Sequence, residues 1–312
     1  MIIFTLALVS HVVRLVDDIR ETEWLSMNNN LITFHLSDRW GMGNEMFALA
    51  STYGIMRSNA DRVLCVDRNT FILKVFHLEK LARCSADALV RYLNAREREE
   101  GAYAEYDPKL LSLPVGQDVV VGRFLQSWRY FDGRENEIRQ LFTFKDNLLK
   151  HARKVLRHSV ESHVVCQGCS KEIIKVGLHV RRGNMVESKE LLEKGYTVAS
   201  EAYLFRAIGF LKKRFQNKQT IFVVCSDSID WCRDALQNRT DVVFVATGQP
   251  ELDMAILSLC DHSIITVGSF GWWAAWLANG TTIYYKDWPR KGSYLAQTTN
   301  NKDYFPPTWI GL

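Results

Sequence analysis

Three well-known signatures are missing from this 312-residue sequence. It has no G-x-x-x-x-G-K-[ST] phosphate loop, no H-E-x-x-H pair and no G-x-S-x-G elbow. These absences argue against P-loop NTPases, zincin proteases and ordinary α/β-hydrolases. Charge of one sign is also scarce. Lys and Arg total 39 against 35 Asp and Glu, a formal net charge of +4. That is too little for a nucleic-acid binder with a basic stripe. It suits a small anionic ligand met by a few local arginines. Beyond the first residues, no run approaches the roughly 20 apolar residues of a membrane span. Residues 2–13 (IIFTLALVSHVV) hold nine apolar residues in twelve, followed by Arg14. That is the length of a signal-peptide core, but the basic start is lacking and His11 interrupts it. A signal sequence, a shortened signal-anchor and an ordinary apolar strand or helix all remain open.

What is present describes an ordinary globular chain. Hydrophobic residues make up 47% and charged residues 24%, which excludes a disordered or fibrous protein. At about 150 residues per domain, the length suggests two domains. Nine Trp and eleven Tyr are assigned mostly to the core. Seven Cys are an odd count, so a monomer keeps at least one free thiol. Cys225 lies in an apolar run and reads as a buried free thiol. Cys166-x-x-Cys169 has no second pair, so a local disulfide or two free thiols fits better than zinc.

Periodicity divides the chain unevenly. Residues 14–30 read as a linker or stem ending in Asn28, Asn29 and Asn30. Leu31–Leu36 predicts a strand, 40–44 a glycine turn, 45–58 a helix and Val63–Val66 a strand. Residues 73–142 are poorly patterned. Within them, 96–100 reads as a solvated helix face and Val119–Val121 as a strand. Residues 132–158 read as helical, and 159–172 as a crossover. Then the pattern sharpens. Strands are expected at 173–180, 221–225, 242–245, 263–267 and 281–285, alternating with helices at 201–215, 229–236, 251–261 and 269–278. Such alternation demands a parallel sheet with right-handed crossovers. Parallel sheets bind ligands at their strands' carboxyl ends. Those ends carry His179, Arg181 and Arg182, then Ser226 and Asp227, then Ser269 and Phe270.

Two arginines directly after a buried strand are costly unless they meet an anion. Gly183 would let the backbone turn there. The alternative is a solvent-facing pair with packed stems. Ser226, Asp227 and Ser228 are placed to cap the next helix, and a helix N-terminus also suits phosphate. Trp272, Trp273 and Trp276 are expected to pack their helix onto the sheet. No Asp-x-Asp occurs, the pair with which many nucleotide-sugar transferases hold a divalent metal. An arginine pair in its place fits neutralisation without metal. Asn238-Arg-Thr240 and Asn279-Gly-Thr281 match the N-glycosylation pattern, which matters only in a secretory route.

His179-Val-Arg181-Arg182-Gly183 resembles the His-x-Arg-Arg-x-Asp motif of α-1,2- and α-1,6-fucosyltransferases. Further blocks resemble the α-1,2 family, glycosyltransferase family 11, in order. Gly43-Asn44-Glu45-Met46-Phe47 is similar to its G-N-Q-M-F block. Phe124-Leu-Gln126-Ser127-Trp128 follows, then Phe222 to Cys232 with Ser226-Asp227 and Trp231-Cys232. Ser258-Leu-Cys260-Asp-His262 through Ser269-Phe270-Gly-Trp-Trp273 comes next, and Phe305-Pro306-Pro307 with Trp309 ends the series. The resemblance spans roughly residues 31–312. It implies an α/β fold of the GT-B type, with two Rossmann-like domains facing a cleft. Residues 1–30 would be an apolar segment and stem, 31–165 an acceptor-side domain and 166–312 the GDP-fucose-binding domain.

The implied reaction moves L-fucose from GDP-β-L-fucose, with inversion, to O2 of a terminal galactose on a glycan. GDP-fucose would be a co-substrate, with no cofactor or metal. Arg182, with Arg181, would neutralise the diphosphate. His179, Gly183, Asn184, Ser226, Asp227, Ser269 and Phe270 would line the donor site, and Gly43 and Asn44 would face the cleft. Glu187 and Asp227 are the candidate bases. A Golgi-lumen enzyme attached to the membrane through its N-terminus is implied, with no nucleic-acid partner. Two departures matter: Asn184 replaces the motif's acid, and Gly41 stands where an Arg is usual. They keep open a different acceptor or linkage, or an impaired protein that binds GDP or glycan without transfer.

Overall fold

A computed structural model describes residues 30–34, 41–59, 62–67, 70–84, 96–98, 104–122, 124–163 and 172–312. Residues 2–13, Cys166 and Cys169 lie outside the described residues.

The first sheet is built from β1 (Leu31–Phe34), β2 (Val63–Asp67), β3 (Ala82–Cys84), β4 (Arg96–Arg98) and β5 (Val119–Val121). Its order is β3-β2-β1-β5-β4, and every pairing is parallel. Helix α1 (Met42–Ser58) crosses from β1 to β2 and is buried along most of its length. A helix apolar on nearly all sides belongs inside the molecule. Its Gly54 is needed for close approach, because a Cβ there would sit 2.0 Å from the Tyr130 carbonyl. Arg96–Arg98 corrects the helical expectation for that charged run. It forms an edge strand paired to β5; an edge tolerates charge, and charge discourages further pairing.

The expected helix over 132–158 is two helices, α2 (Glu135–Leu141) and α3 (Asp146–Glu161). Helix α3 packs on the helix Pro250–Ser258 of the second sheet. The second sheet contains β6 (Ile173–Val180), β7 (Gln219–Ser226), β8 (Val242–Phe244), β9 (His262–Ile265), β10 (Thr282–Tyr284) and β11 (Ile310–Gly311). Its helices are α4 (Gly183–Glu187), α5 (Lys189–Lys194), α6 (Glu201–Arg214), α7 (Ile229–Ala235), α8 (Pro250–Ser258), α9 (Ser269–Ala278), α10 (Tyr294–Gln297) and α11 (Asn301–Tyr304). The order is β11-β10-β9-β6-β7-β8, all parallel. The chain starts in the middle at β6, moves out through β7 and β8, then returns to β9 on the other flank. The gap between β6 and β9 is therefore a topological switch point, where such sheets bind ligands. The first sheet has its own switch between β1 and β5.

One apolar core joins both halves. Trp272 and Trp273 of α9 are fully buried. The Phe47 ring of α1 lies 4.5 Å from the ring of Trp272 and 5.1 Å from that of Trp273. Phe142 packs edge-on against Trp273 at 4.9 Å. The tryptophans are buried as core residues, and their ring contacts fix α9 against α1 and the segment holding Phe131 and Phe142. The first turn of α1 is thereby held against the start of α9. Cys225, Cys232 and Cys260 are buried free thiols, and Cys65 on β2 is disulfide-bonded.

Candidate active site

The site gathers where β6, β7 and β9 end. Val180 is in register with Ser226, and His179 with both Cys225 and Ile265. This register sets three strand ends side by side. Ser226 Oγ donates to the Val180 carbonyl at 2.7 Å and accepts from the Ser228 N–H at 2.9 Å. It thus ties β7 to β6 instead of capping α7, whose N-cap residue Ser228 makes no side-chain capping bond. Ser228 Oγ in turn accepts from the Gly183 N–H at 3.1 Å.

Asp227 organises the arginine pair. One carboxylate oxygen pairs with the Arg181 guanidinium. The other accepts from the Arg182 backbone N–H at 2.9 Å. Arg181 also donates to Asn184 Oδ1 at 2.7 Å, and its backbone N–H donates to Thr266 Oγ1 at 2.9 Å. Gly183 has φ +26°, and a Cβ there would fall 2.2 Å from an Asp227 carboxylate oxygen. Only glycine fits that turn. Arg182 differs from its neighbour. Its guanidinium carbon lies 3.9 Å over the Trp231 ring, and one N–H donates to the Ala199 carbonyl at 3.3 Å. Among the described residues no carboxylate pairs with its side chain. Arg181 is neutralised in place by Asp227, and the Arg182 guanidinium rests on a ring instead.

His179 is buried beneath this pair. Burial holds its imidazole neutral, lowering the pKa from 6.5 to about 4, with Asp227 opposing and Arg181 reinforcing the shift. Its ring lies 4.9 Å from that of Phe270. Gly271 makes room for it, since a Cβ there would meet His179 Nδ1 at 2.6 Å.

The first sheet reaches the same place from its own switch point. Asn44, in the first turn of α1, accepts on Oδ1 from Ser269 Oγ at 2.5 Å and from Gln126 Nε2 at 3.0 Å. Gln126 follows β5 and is fully buried. Gly43 packs so tightly that a Cβ would stand 2.6 Å from the Ser269 carbonyl carbon. Ser269 begins the ten-residue helix α9, and a helix N-terminus favours an anion. The arrangement places a cationic guanidinium at the carboxyl end of β6 and a helix N-terminus after β9, the latter bonded to the first turn of α1. It can hold a phosphorylated ligand and stabilise a phosphate leaving group.

The structure brings together Gly43, Asn44, His179, Arg181, Arg182, Gly183, Asn184, Ser226, Asp227, Ser269 and Phe270. Glu187 ends α4, exposed and, among the described residues, without an ion pair. Asn238 and Asn279 are exposed and precede β8 and β10, on the amino edge of the sheet, away from Arg182. Gln126 was readable only as part of a resemblance, because the segment around it lacks periodicity. Asp253 escaped the sequence reading altogether. It lies in the first turn of α8, beyond the carboxyl end of β8, and accepts from Thr247 Oγ1 at 2.7 Å. Burial raises its pKa. Its signal was an acid in the turn opened by Pro250. Among the described residues, no cluster of three or more His, Cys, Asp or Glu could hold a metal ion. Nor is any described helix long and apolar enough to cross a membrane.

The model of glycosyl transferase family 11 matches residues 42–312. Galactoside alpha-(1,2)-fucosyltransferase 1 of Ateles belzebuth is 31% identical over 278 residues, covering 86% of this chain and 72% of that protein. The Bos taurus protein of the same name is 35% identical over 190 residues, covering 60% of this chain and 51% of that protein. Among solved structures, fucosyltransferase NodZ from Bradyrhizobium aligns with a TM-score of 0.52 at 15% identity, over 79% of this chain and 92% of that one. A variant of Arabidopsis thaliana FUT1 in complex with GDP aligns with a TM-score of 0.53 at 13% identity, over 83% and 70%. These neighbours share the fold, a GT-B-like pair of parallel sheets with helices. The match over residues 42–312, together with the relatives' identity, settles the family: the chain belongs to glycosyl transferase family 11.

Proposed function

We propose that the protein transfers L-fucose from GDP-β-L-fucose, with inversion, to O2 of a terminal galactose on a glycan. The observation that carries this reading is Arg182, a guanidinium following the carboxyl end of β6 with no carboxylate partner among the described residues. A planar fork of N–H donors matches diphosphate oxygens. In this reading Arg182 binds the diphosphate and stabilises it as it departs, and the N-terminus of α9 adds its partial positive charge. No metal is needed for that step. Residues 166–312 then hold the donor and residues 31–165 the acceptor. The names of the family relatives support a galactoside acceptor and an α-1,2 linkage. Localisation in the Golgi lumen, with membrane attachment through the N-terminus, completes the proposal.

Asn184 is compatible with activity. Its amide oxygen orients Arg181 while Asp227 supplies the negative charge, so the lost acid has a functional partner in place. Both Asp227 oxygens already accept hydrogen bonds, which suits an orienting role. A neutral His179 with a pKa near 4 is a poor base at neutral pH. Deprotonation of the acceptor hydroxyl is therefore assigned to Glu187 or to the departing diphosphate.

The test is a transfer assay with GDP-fucose and a panel of β-galactosides, with and without EDTA, and product linkage read by NMR. Fucose α-linked to O2, formed equally well in EDTA, is expected. Transfer abolished by EDTA would overturn the metal-free step. GDP binding without any transfer would favour the impaired protein.

A further inference from the structure

We infer that Trp231 is a positioning residue for Arg182, holding the guanidinium at the diphosphate without neutralising it. The inference rests on the donor-binding role proposed for Arg182. Trp231 lies on α7, after β7, and packs against the apolar cluster on that side of the sheet. Its ring face carries the Arg182 guanidinium at 3.9 Å. The Ala199 carbonyl takes one N–H, and Asp227 fixes the backbone amide at the root of the side chain. Arginine can stack on a ring through its flat face while its edge still offers N–H donors.

The chemistry of that contact differs from the one made by Arg181. A carboxylate partner cancels the charge and occupies the donor edge, as Asp227 does for Arg181. A ring attracts the cation through its quadrupole, leaves the charge whole and leaves most donors free. It also keeps water off one face, which strengthens the pull on an anion. Trp231 therefore supplies what an acidic partner could not: a fixed orientation with an undiminished charge. The side chain loses less freedom on meeting the diphosphate, since it is already ordered.

The effect must pass through the phosphates and through Arg182. Trp231→Leu keeps apolar bulk and removes the ring; Trp231→Phe keeps a weaker ring. GDP and guanosine are titrated into the 312-residue chain carrying each change, and into Arg182→Ala with and without Trp231→Leu. Trp231→Leu is expected to weaken GDP about tenfold, in line with a partly desolvated cation–ring contact, with guanosine unchanged. Trp231→Phe should recover most of the loss, and Trp231→Leu should add nothing in the Arg182→Ala background. In steady state, kcat/KM for GDP-fucose should fall with GDP affinity. Wild-type GDP affinity in Trp231→Leu, equal loss of GDP and guanosine, or an additive effect with Arg182→Ala would overturn the inference. If Trp231→Leu does not fold, Trp231→Met, which also lacks the ring, replaces it: a protein that melts normally and binds GDP several-fold more weakly supports the inference, and unchanged binding overturns it. Wild-type protein that fails to bind GDP would sink the donor reading itself.

Discussion

Arg181 and Asp227 form an ion pair across the carboxyl ends of two neighbouring strands, β6 and β7. The same carboxylate holds the backbone amide of Arg182. Adjacent arginines in the sequence thus have separate tasks. One fastens the loop, and the other, in the proposed donor site, meets the diphosphate.

The tightness of this arrangement shows at Gly183. Its φ is +26°, and a Cβ would meet the Asp227 carboxylate at 2.2 Å. Gly183→Ala should cost roughly 1–3 kcal/mol from backbone strain and overpacking. It should also displace Arg182 and weaken GDP binding. Thermal melting and GDP titration check both effects; a variant unchanged in both would show that the Asp227 clamp is not constrained.

Histidine titration gives a pH prediction. The fold lowers the pKa of His179 from 6.5 to about 4. An unfolded chain binds this proton more readily than the folded one. The stabilisation from neutral His179 is therefore complete above pH 6.5 and is lost as pH falls towards 4, amounting to roughly 3 kcal/mol over the whole window. His179→Phe keeps a ring beside Phe270 and removes the titration. Its melting temperature should fall less than wild type's between pH 7 and 4.5. Identical falls in the two proteins would contradict the assignment.

The reach of sequence reasoning follows from where periodicity is strong. Apolar strands alternate with helices after residue 172, so the strand ends bearing Arg181, Asp227 and Ser269 were legible. Their division of labour was not. Asp227 looked like a helix cap, and only three-dimensional register shows it clamping two arginines. In the first half, β4 is a charged edge strand, whose residues carry no alternation to betray it. Gln126 joins the site through a contact with Asn44, 82 positions away in sequence, and no local pattern encodes that distance.

Asn184 offers a test of the departure from the family motif. Arg181 already has a carboxylate in Asp227 and an amide oxygen in Asn184. A second carboxylate should therefore add little. Asn184→Asp is expected to change kcat/KM for transfer by less than about threefold, or under 0.7 kcal/mol. A sharp rise would mean that Asn184 impairs the natural protein.

The two N-glycosylation sequences lie on the amino edge of the second sheet. Arg139 donates to Asn279 Oδ1 at 2.9 Å, which leaves the amide nitrogen available to a sugar. Expressed through a secretory route, the protein should carry glycans at Asn238 and Asn279, removable by peptide N-glycosidase with a matching mass shift. Transfer should survive their removal, because that edge is opposite the cleft. Absent glycans would argue against the lumenal route, and lost transfer would argue against the placement.

The separate tasks of the two arginines are tested most directly by GDP titration into Arg181→Ala and Arg182→Ala beside wild type, each with a melting curve. Removing a donor that meets developing charge costs about 10²–10³-fold in rate, and ligand affinity should fall with it. Arg182→Ala should melt like wild type, bind GDP about 10²-fold more weakly but still measurably, and lose transfer. Arg181→Ala should melt lower, because Asp227 is left without its partner. An Arg182→Ala protein that binds GDP and transfers fucose at near-normal rates would contradict the account.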